Sequence, residues 1–206
     1  MADTDTEGAW ISLFSGGKDS SWALYRAMTT GHTIDRLVTV HPEGDSYMYH
    51  TPATELATVA AESIGVPIVD VDPGALEAET AADSGAQGDA ELEPLEAALR
   101  DLADELGGIA GVTAGAIESE FQTSRIRAMC DRLDAELFAP LWGEDPDDLA
   151  AAMLDAGFDI RIIQVAAAGL DESWLGRRLD EAALGGEPVW EGSRGYLRIT
   201  DARLVD

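Results

Sequence analysis

Six consecutive residues, Ser15-Gly16-Gly17-Lys18-Asp19-Ser20, carry the strongest chemical signal in this sequence. Gly16 and Gly17 can take backbone angles closed to other residues, so successive N–H groups can face one concavity. Lys18 adds a full positive charge, and the Ser15 and Ser20 hydroxyls add donors. That is equipment for holding phosphate, and a helix starting just after the turn adds the positive end of its dipole. Asp19 makes sense in such a cradle as a contact for Mg²⁺ held by the same phosphates. The common phosphate loop GxxxxGK[ST] does not fit, because Lys18 is followed by Asp19. Lys18 is also the chain's only lysine, so this turn holds an ammonium that the composition otherwise avoids. A second polar set stands at Glu118, Glu120, Gln122 and Arg125. Glu118, Gln122 and Arg125 share one helix face by their i, i+4, i+7 spacing, and Arg125 offers a forked donor set suited to phosphate.

These residues need elements to position them. An apolar run at residues 9–14 predicts a buried strand leading into the glycine turn. Trp22, Tyr25 and Met28 recur at helical spacing after it, and Gly31 closes that helix. Residues 34–41 predict a second strand and 42–51 a loop. Thr51, Pro52 and Glu55 read as cap, first helical position and reciprocal partner of a helix over 52–64, which Gly65 ends. A third strand follows at 66–71, then an acidic loop over 72–90. A helix over 91–106 puts Leu92, Leu95, Leu99, Leu102 and Leu106 on one face. A short strand at 111–116, a helix at 118–133 and a strand at 136–138 complete a β-α alternation. Such alternation predicts an α/β fold, a five-stranded parallel sheet with helices on both faces, with ligands at the strands' carboxyl ends. The glycine turn and the start of the 118–133 helix both lie at such ends.

From Pro140 the pattern changes, so the chain divides into a nucleotide-binding part at 8–139 and a small C-terminal α+β part at 140–206. The latter predicts a helix over 145–156 capped by Asp145, a strand over 158–165, a helix over 172–184 and a closing strand pair.

The chain has 206 residues, 40 acidic and 13 basic, for a net charge of −27. Such a field repels nucleic acid and anionic membrane. With 46% hydrophobic content the sequence is a folded one, and its acidity reads as the surface of a halophilic protein. Cys130 is the one cysteine, in an apolar helical stretch, which excludes an intramolecular disulfide and reads as a small buried hydrophobe. No window predicts a membrane span and residues 1–7 are acidic, unlike a signal peptide, so the expected location is cytoplasmic.

The turn resembles the pyrophosphate loop, SGGxDS, of the ATP pyrophosphatases, and further segments resemble the diphthine–ammonia ligase group within them. These are His50-Thr51-Pro52-Ala53-Thr54-Glu55-Leu56, Gly115-Ala116-Ile117, Ser119-Glu120-Phe121-Gln122 with Arg125, Pro140-Leu141-Trp142-Gly143, and Leu170-Asp171-Glu172 with Trp174-Leu175-Gly176-Arg177. The resemblance covers about residues 10–180. It implies an adenine nucleotide α-hydrolase-like fold and ATP with Mg²⁺, bound through Ser15, Gly16, Gly17, Lys18, Asp19 and Ser20. Lys18 and Asp19 are then catalytic, with Asp19 toward the metal. It implies amidation of diphthine on elongation factor 2, with ammonium as nitrogen source and Glu118, Glu120, Gln122 and Arg125 on the substrate side. Neither a nucleic acid nor a membrane is an expected partner, and self-association into a homo-oligomer stays open. The group's terminal EGGE-plus-aromatic segment corresponds to Glu191-Gly192-Ser193-Arg194-Gly195-Tyr196, where the second Glu is missing; Glu191 and Tyr196 would stand on the substrate side. Two other readings fit the residues: an ATP pyrophosphatase with a different acceptor, and a regulator that binds adenine nucleotide without turnover.

Overall fold

The computed structural model describes residues 8–41, 56–72, 84–117, 119–163 and 172–180, with the side chains of 84–87 outside that description. The elements follow in the order β1 (Ala9–Leu13), α1 (Lys18–Thr29), β2 (Ile34–Val40), α2 (Ala57–Ile64), β3 (Ile68–Val71), α3 (Ser84–Leu106), β4 (Ile109–Thr113), α4 (Glu120–Arg132), β5 (Glu136–Phe138) and α5 (Pro146–Asp155). Among the described residues a 3₁₀ turn at Glu172–Trp174 comes last.

The five strands form one sheet in the order β3-β2-β1-β4-β5, and every pairing is parallel. β1 is central and four of its five residues are buried, which is why it reads as an unbroken apolar run rather than an alternating one. The chain builds outward from β1 through β2 to β3, then crosses back to place β4 on the other side of β1. The order therefore reverses between β1 and β4, where Ser12 pairs with Thr113. At that point the connections depart to opposite faces and leave a crevice above the carboxyl ends.

On one face Ile11, Val38, Val40 and Val112 pack against Leu92, Leu95, Leu99 and Leu102 of α3 and Ile126, Met129 and Cys130 of α4. On the other, Trp10, Phe14 and Leu37 meet Leu24 and Ala27 of α1 and Ala57 and Ala61 of α2. Each fully buried leucine contributes about 1.5–3 kcal/mol relative to exposure, so the leucine stripe is the main reason α3 lies where it does. Between α3 and α4, Glu96 accepts hydrogen bonds from Arg132 Nε (3.0 Å) and also pairs with Arg100. The Arg132 hydrogen bonds hold the Glu96 carboxyl below the usual carboxylate range, against the opposing effect of its burial. A third cluster joins Trp22 and Ala23 of α1 to Leu141, Leu149, Ala150, Met153, Ile160 and Leu179. The C-terminal segment is thus seated on the same helix that begins at the glycine turn.

Four expectations need correction. Residues 84–90 are not loop: α3 begins at Ser84, because the packing of Gly88 and Asp89 on α4 outweighs the low helix propensity of a glycine-rich stretch. Of the strand expected over 158–165, the described residues 158–163 form one isolated antiparallel bridge, between Arg161 and Arg178. Its backbone bonds are taken by the following segment, Ile162 N–H to Arg177 O (2.9 Å) and Leu179 N–H to Ile160 O (2.8 Å), not by a sheet. In the described part of the helix expected over 172–184, residues 172–180, there is one 3₁₀ turn, followed by Gly176 in the left-handed region. The 118–133 helix starts two residues late, at Glu120, because Ser119 takes the cap and accepts from Gln122 N–H (3.3 Å). The expected cap at Asp145 does accept from the N–H groups of Asp147 and Asp148. Thr51, Pro52, Glu55, the loop at 42–51, most of the acidic stretch and the closing strand pair lie outside the described residues.

Candidate nucleotide-binding site

The turn that leaves β1 is anchored before it opens. Phe14 is buried and its N–H donates to Val38 O (2.8 Å), so the backbone stays in sheet register up to Ser15. Gly16 then has a φ of +74°, a conformation costly to any residue with a Cβ. A Cβ there would also come within 3.2 Å of the Ala57 backbone, so the turn rests against the start of α2. Gly17 is the cap of α1 in an extended conformation and supplies no side chain to the first-turn N–H groups. Those donors, at the positive end of the helix dipole, remain for an outside acceptor such as phosphate.

Ser20 is buried and acts as the internal brace of the turn. Its Oγ donates to Gly17 O (3.0 Å) and accepts from Ser15 N–H (3.3 Å), and the two serine hydroxyl oxygens lie 3.2 Å apart. Ser15 is exposed at the rim. Lys18 and Asp19 are paired side chain to side chain, both partly exposed, so the ammonium is held at the mouth of the cradle.

The other wall comes from β4. Gly115 sits so close to the first turn of α1 that an added Cβ would stand 2.8 Å from the Asp19 carbonyl carbon and oxygen and 2.9 Å from Ser20 N. This glycine was missed as a site residue in the sequence, although its position just after a strand end was a signal. Beyond it, Ile117 O accepts from Gly143 N–H (2.9 Å), and Pro140 O accepts from Arg26 Nη1 (2.9 Å). These bonds tie the turn at 140–143 to α1 and to the β4–α4 connection.

Glu120 is exposed and Gln122 half-buried on the first turn of α4, above the same edge of the sheet. Arg125 is on that helix too, but its guanidinium is drawn to α3. Nε pairs with Asp89 (2.8 Å), Nη1 donates to Phe121 O (3.1 Å), and the group lies 3.8 Å over the Phe121 ring. Glu118, Glu191 and Tyr196 lie outside the described residues. Cys130 is buried, and burial pushes its thiol up to about 12, so it stays protonated and fills space as expected.

No group of three or more His, Cys, Asp or Glu side chains is gathered for a metal ion among the described residues. Asp19, as a lone carboxylate, fits Mg²⁺ only in the mode where nucleotide phosphates complete the shell. Among the described residues no helix is long and apolar enough to cross a membrane.

A parallel sheet of this order, with an uncapped glycine turn opening a helix at its switch point, defines an α/β protein whose candidate ligand site is that turn. Residues 8–136 match the family described as Diphthamide synthase N-terminal domain, and residues 145–186 match Diphthamide synthase C-terminal domain. The chain is 33% identical over 184 residues to a diphthine–ammonia ligase of Danio rerio, covering 84% of this chain and 71% of that one. It is 33% identical over 180 residues to the diphthine–ammonia ligase of Homo sapiens, covering 82% and 67%. With the Saccharomyces cerevisiae diphthine–ammonia ligase it shares 31% identity over 196 residues, 82% of this chain but 28% of that longer protein. A solved structure from Methanocaldococcus jannaschii, described as a "predicted subunit of tRNA methyltransferase", is 22% identical with a TM-score of 0.49, covering 80% of this chain and 82% of that one. The chain belongs to the diphthamide synthase family.

Proposed function

We propose that the protein is an ATP-dependent diphthine–ammonia ligase that completes diphthamide on elongation factor 2. The observation that carries this reading is that curated relatives of that name align over more than four-fifths of the chain. The reading takes 8–139 as the nucleotide-binding part and 140–206 as the substrate-side part, and the separate family matches over 8–136 and 145–186 support it.

In this reading the first-turn N–H groups of α1, Gly16 and Gly17 receive the β and γ phosphates of ATP, with Ser15 at the rim and Ser20 bracing the turn. Asp19 would hold Mg²⁺ together with phosphate oxygens, and the ion would supply positive charge where the triphosphate carries most negative charge. The diphthine carboxylate attacks the α phosphorus, the bond to the bridging oxygen breaks, and pyrophosphate leaves. Lys18 and the backbone donors stabilise the charge that grows on that leaving group. Ammonia then attacks the acyl carbon of the acyl-adenylate, AMP departs, and the proton lost from nitrogen goes to water or to a carboxylate such as Glu120. Glu120 and Gln122, with Glu118, Glu191 and Tyr196, would supply the acceptor side, where acidic or aromatic groups suit diphthine's trimethylammonium. Arg125 reaches phosphate only by giving up Asp89 and the Phe121 ring.

The test is a strain in which this gene is deleted and restored, read by mass spectrometry of the modified histidine. Loss of diphthamide on deletion and its return with the wild-type gene is the expected result. Full diphthamide in the deletion strain would refute the acceptor assignment.

A further inference from the structure

We propose that Arg125 is a positioning residue, latching the overhanging first half of α3 onto the first turn of α4 and so fixing the acceptor side of the site. The proposal rests on the ligase reading for its substrate and on geometry for the latch.

α3 has 23 residues and β4 has five. At about 1.5 Å and about 3.3 Å per residue these span about 34 Å and about 17 Å, so α3 is twice as long as the strand it precedes. Its C-terminal end is fixed where β4 begins, and Leu92, Leu95, Leu99 and Leu102 lie on the sheet. The surplus length projects past the carboxyl edge, where the glycine turn and α4 begin. Pro94 stands where the overhang departs, and it has no N–H to give to the carbonyl of Ala90. Leu92 is therefore the overhang's first contact with the sheet core, and Pro94 leaves out one of the bonds that would stiffen the turns before it.

What holds it is a small cluster on α4. Asp89 pairs with Arg125 Nε, and the guanidinium stacks on Phe121 and bonds to the Phe121 carbonyl. Gly88 lets the helices approach: a Cβ there would stand 2.7 Å and 2.8 Å from ring carbons of Phe121 and 3.2 Å from Arg125 Nε. The Arg125 side chain is only 20% exposed while Asp89 is 69% exposed. An ion pair with so exposed a carboxylate is weak alone, and the planar stacking adds a contribution of similar size. The sum is enough to hold a local equilibrium without deciding whether the domain folds. The turn that is held carries Ser119, Glu120 and Gln122.

Arg125→Lys keeps the charge and loses the planar fork, while Asp89→Asn removes the pair from the other side. In steady-state amidation by the full chain, each variant should raise KM for the elongation factor about tenfold, and the double variant should be no worse than the more impaired single one, as for one shared contact. KM for ATP should change less than about twofold in all three. Multiplying effects on the acceptor KM would overturn the proposal. So would a tenfold rise in the ATP KM for Arg125→Lys with Asp89→Asn silent, the signature of a phosphate ligand. Hydrogen exchange separates the latch from the reaction: amides of residues 84–93 should exchange about tenfold faster in both variants while those of 95–106 stay unchanged. Unchanged exchange at 84–93 would overturn the latch even in an active ligase. Faster exchange there in a protein that amidates nothing would support the latch and sink the ligase reading instead.

Discussion

The closeness of Gly115 to the first turn of α1 makes the assembly of the site measurable with one methyl group. In Gly115→Ala the new Cβ would lie 2.8–2.9 Å from the carbonyl group of Asp19 and the amide nitrogen of Ser20. Both are backbone atoms, so no side chain can swing aside. To reach an ordinary contact the β4–α4 connection and the glycine turn must separate by roughly half an ångström, an overpacking strain of about 1–3 kcal/mol. For a chain of this size each kcal/mol lowers Tm by about 2–4 °C, so a fall of about 2–12 °C is expected. The separation also moves the first-turn N–H groups off the phosphates, and the Kd for ATP·Mg should rise about tenfold, equivalent to about 1.4 kcal/mol. Gly17→Ala is the internal control. A Cβ there meets only the Ser15 hydroxyl, at 3.5 Å, and the backbone angles at Gly17 suit alanine. That variant should keep its Tm, yet crowd the concavity and weaken ATP. Scanning calorimetry gives the first quantity and titration calorimetry the second. A Gly115→Ala protein with unchanged Tm and unchanged ATP affinity would refute the claim that this contact sets the site.

Three further outcomes follow from the same geometry. Lys18→Ala should abolish pyrophosphate release from ATP while leaving Tm within about 1 °C, because the side chain is partly exposed and supports no buried group; release at the wild-type rate would remove Lys18 from the reaction. Glu96 has a folded-state carboxyl below its unfolded value, so the stability it contributes is fully present above the unfolded pKa and is lost as pH falls through the folded one. Glu96→Gln should therefore flatten the acid limb of a stability-versus-pH curve below the ordinary carboxylate range, and an identical limb in both proteins would contradict the assignment. The charge of −27 should make the fold salt-dependent, since the Debye length grows from about 3 Å at 1 M to about 30 Å at 0.01 M; a circular-dichroism melt whose midpoint did not fall on dilution would reject the halophilic reading.

The sequence by itself determined the parts of the protein that depend on local pattern. The apolar run before Ser15, the glycine pair and the helical spacing after it defined a strand, a turn and a helix, and these stand where expected. The alternation of apolar strand runs with segments of helical spacing defined a parallel sheet, and Asp145 and Gly65 marked helix ends through interactions that span a few residues. Tertiary structure decided what depends on distant neighbours. Residues 84–90 look like loop because glycine and alanine carry no periodic signal, and they are helical because Phe121 and Arg125 lie against them. Ile160 and Ile162 have strand character, but a strand needs a sheet edge, and here the nearest backbone is the short segment at 176–179. Ser20, one more hydroxyl for a ligand in the sequence, turned out to brace Gly17 because the turn folds it inward. Arg125, placed beside a phosphate by its spacing, faces Asp89 instead, since helix spacing fixes the face a residue occupies but not which partner that face meets.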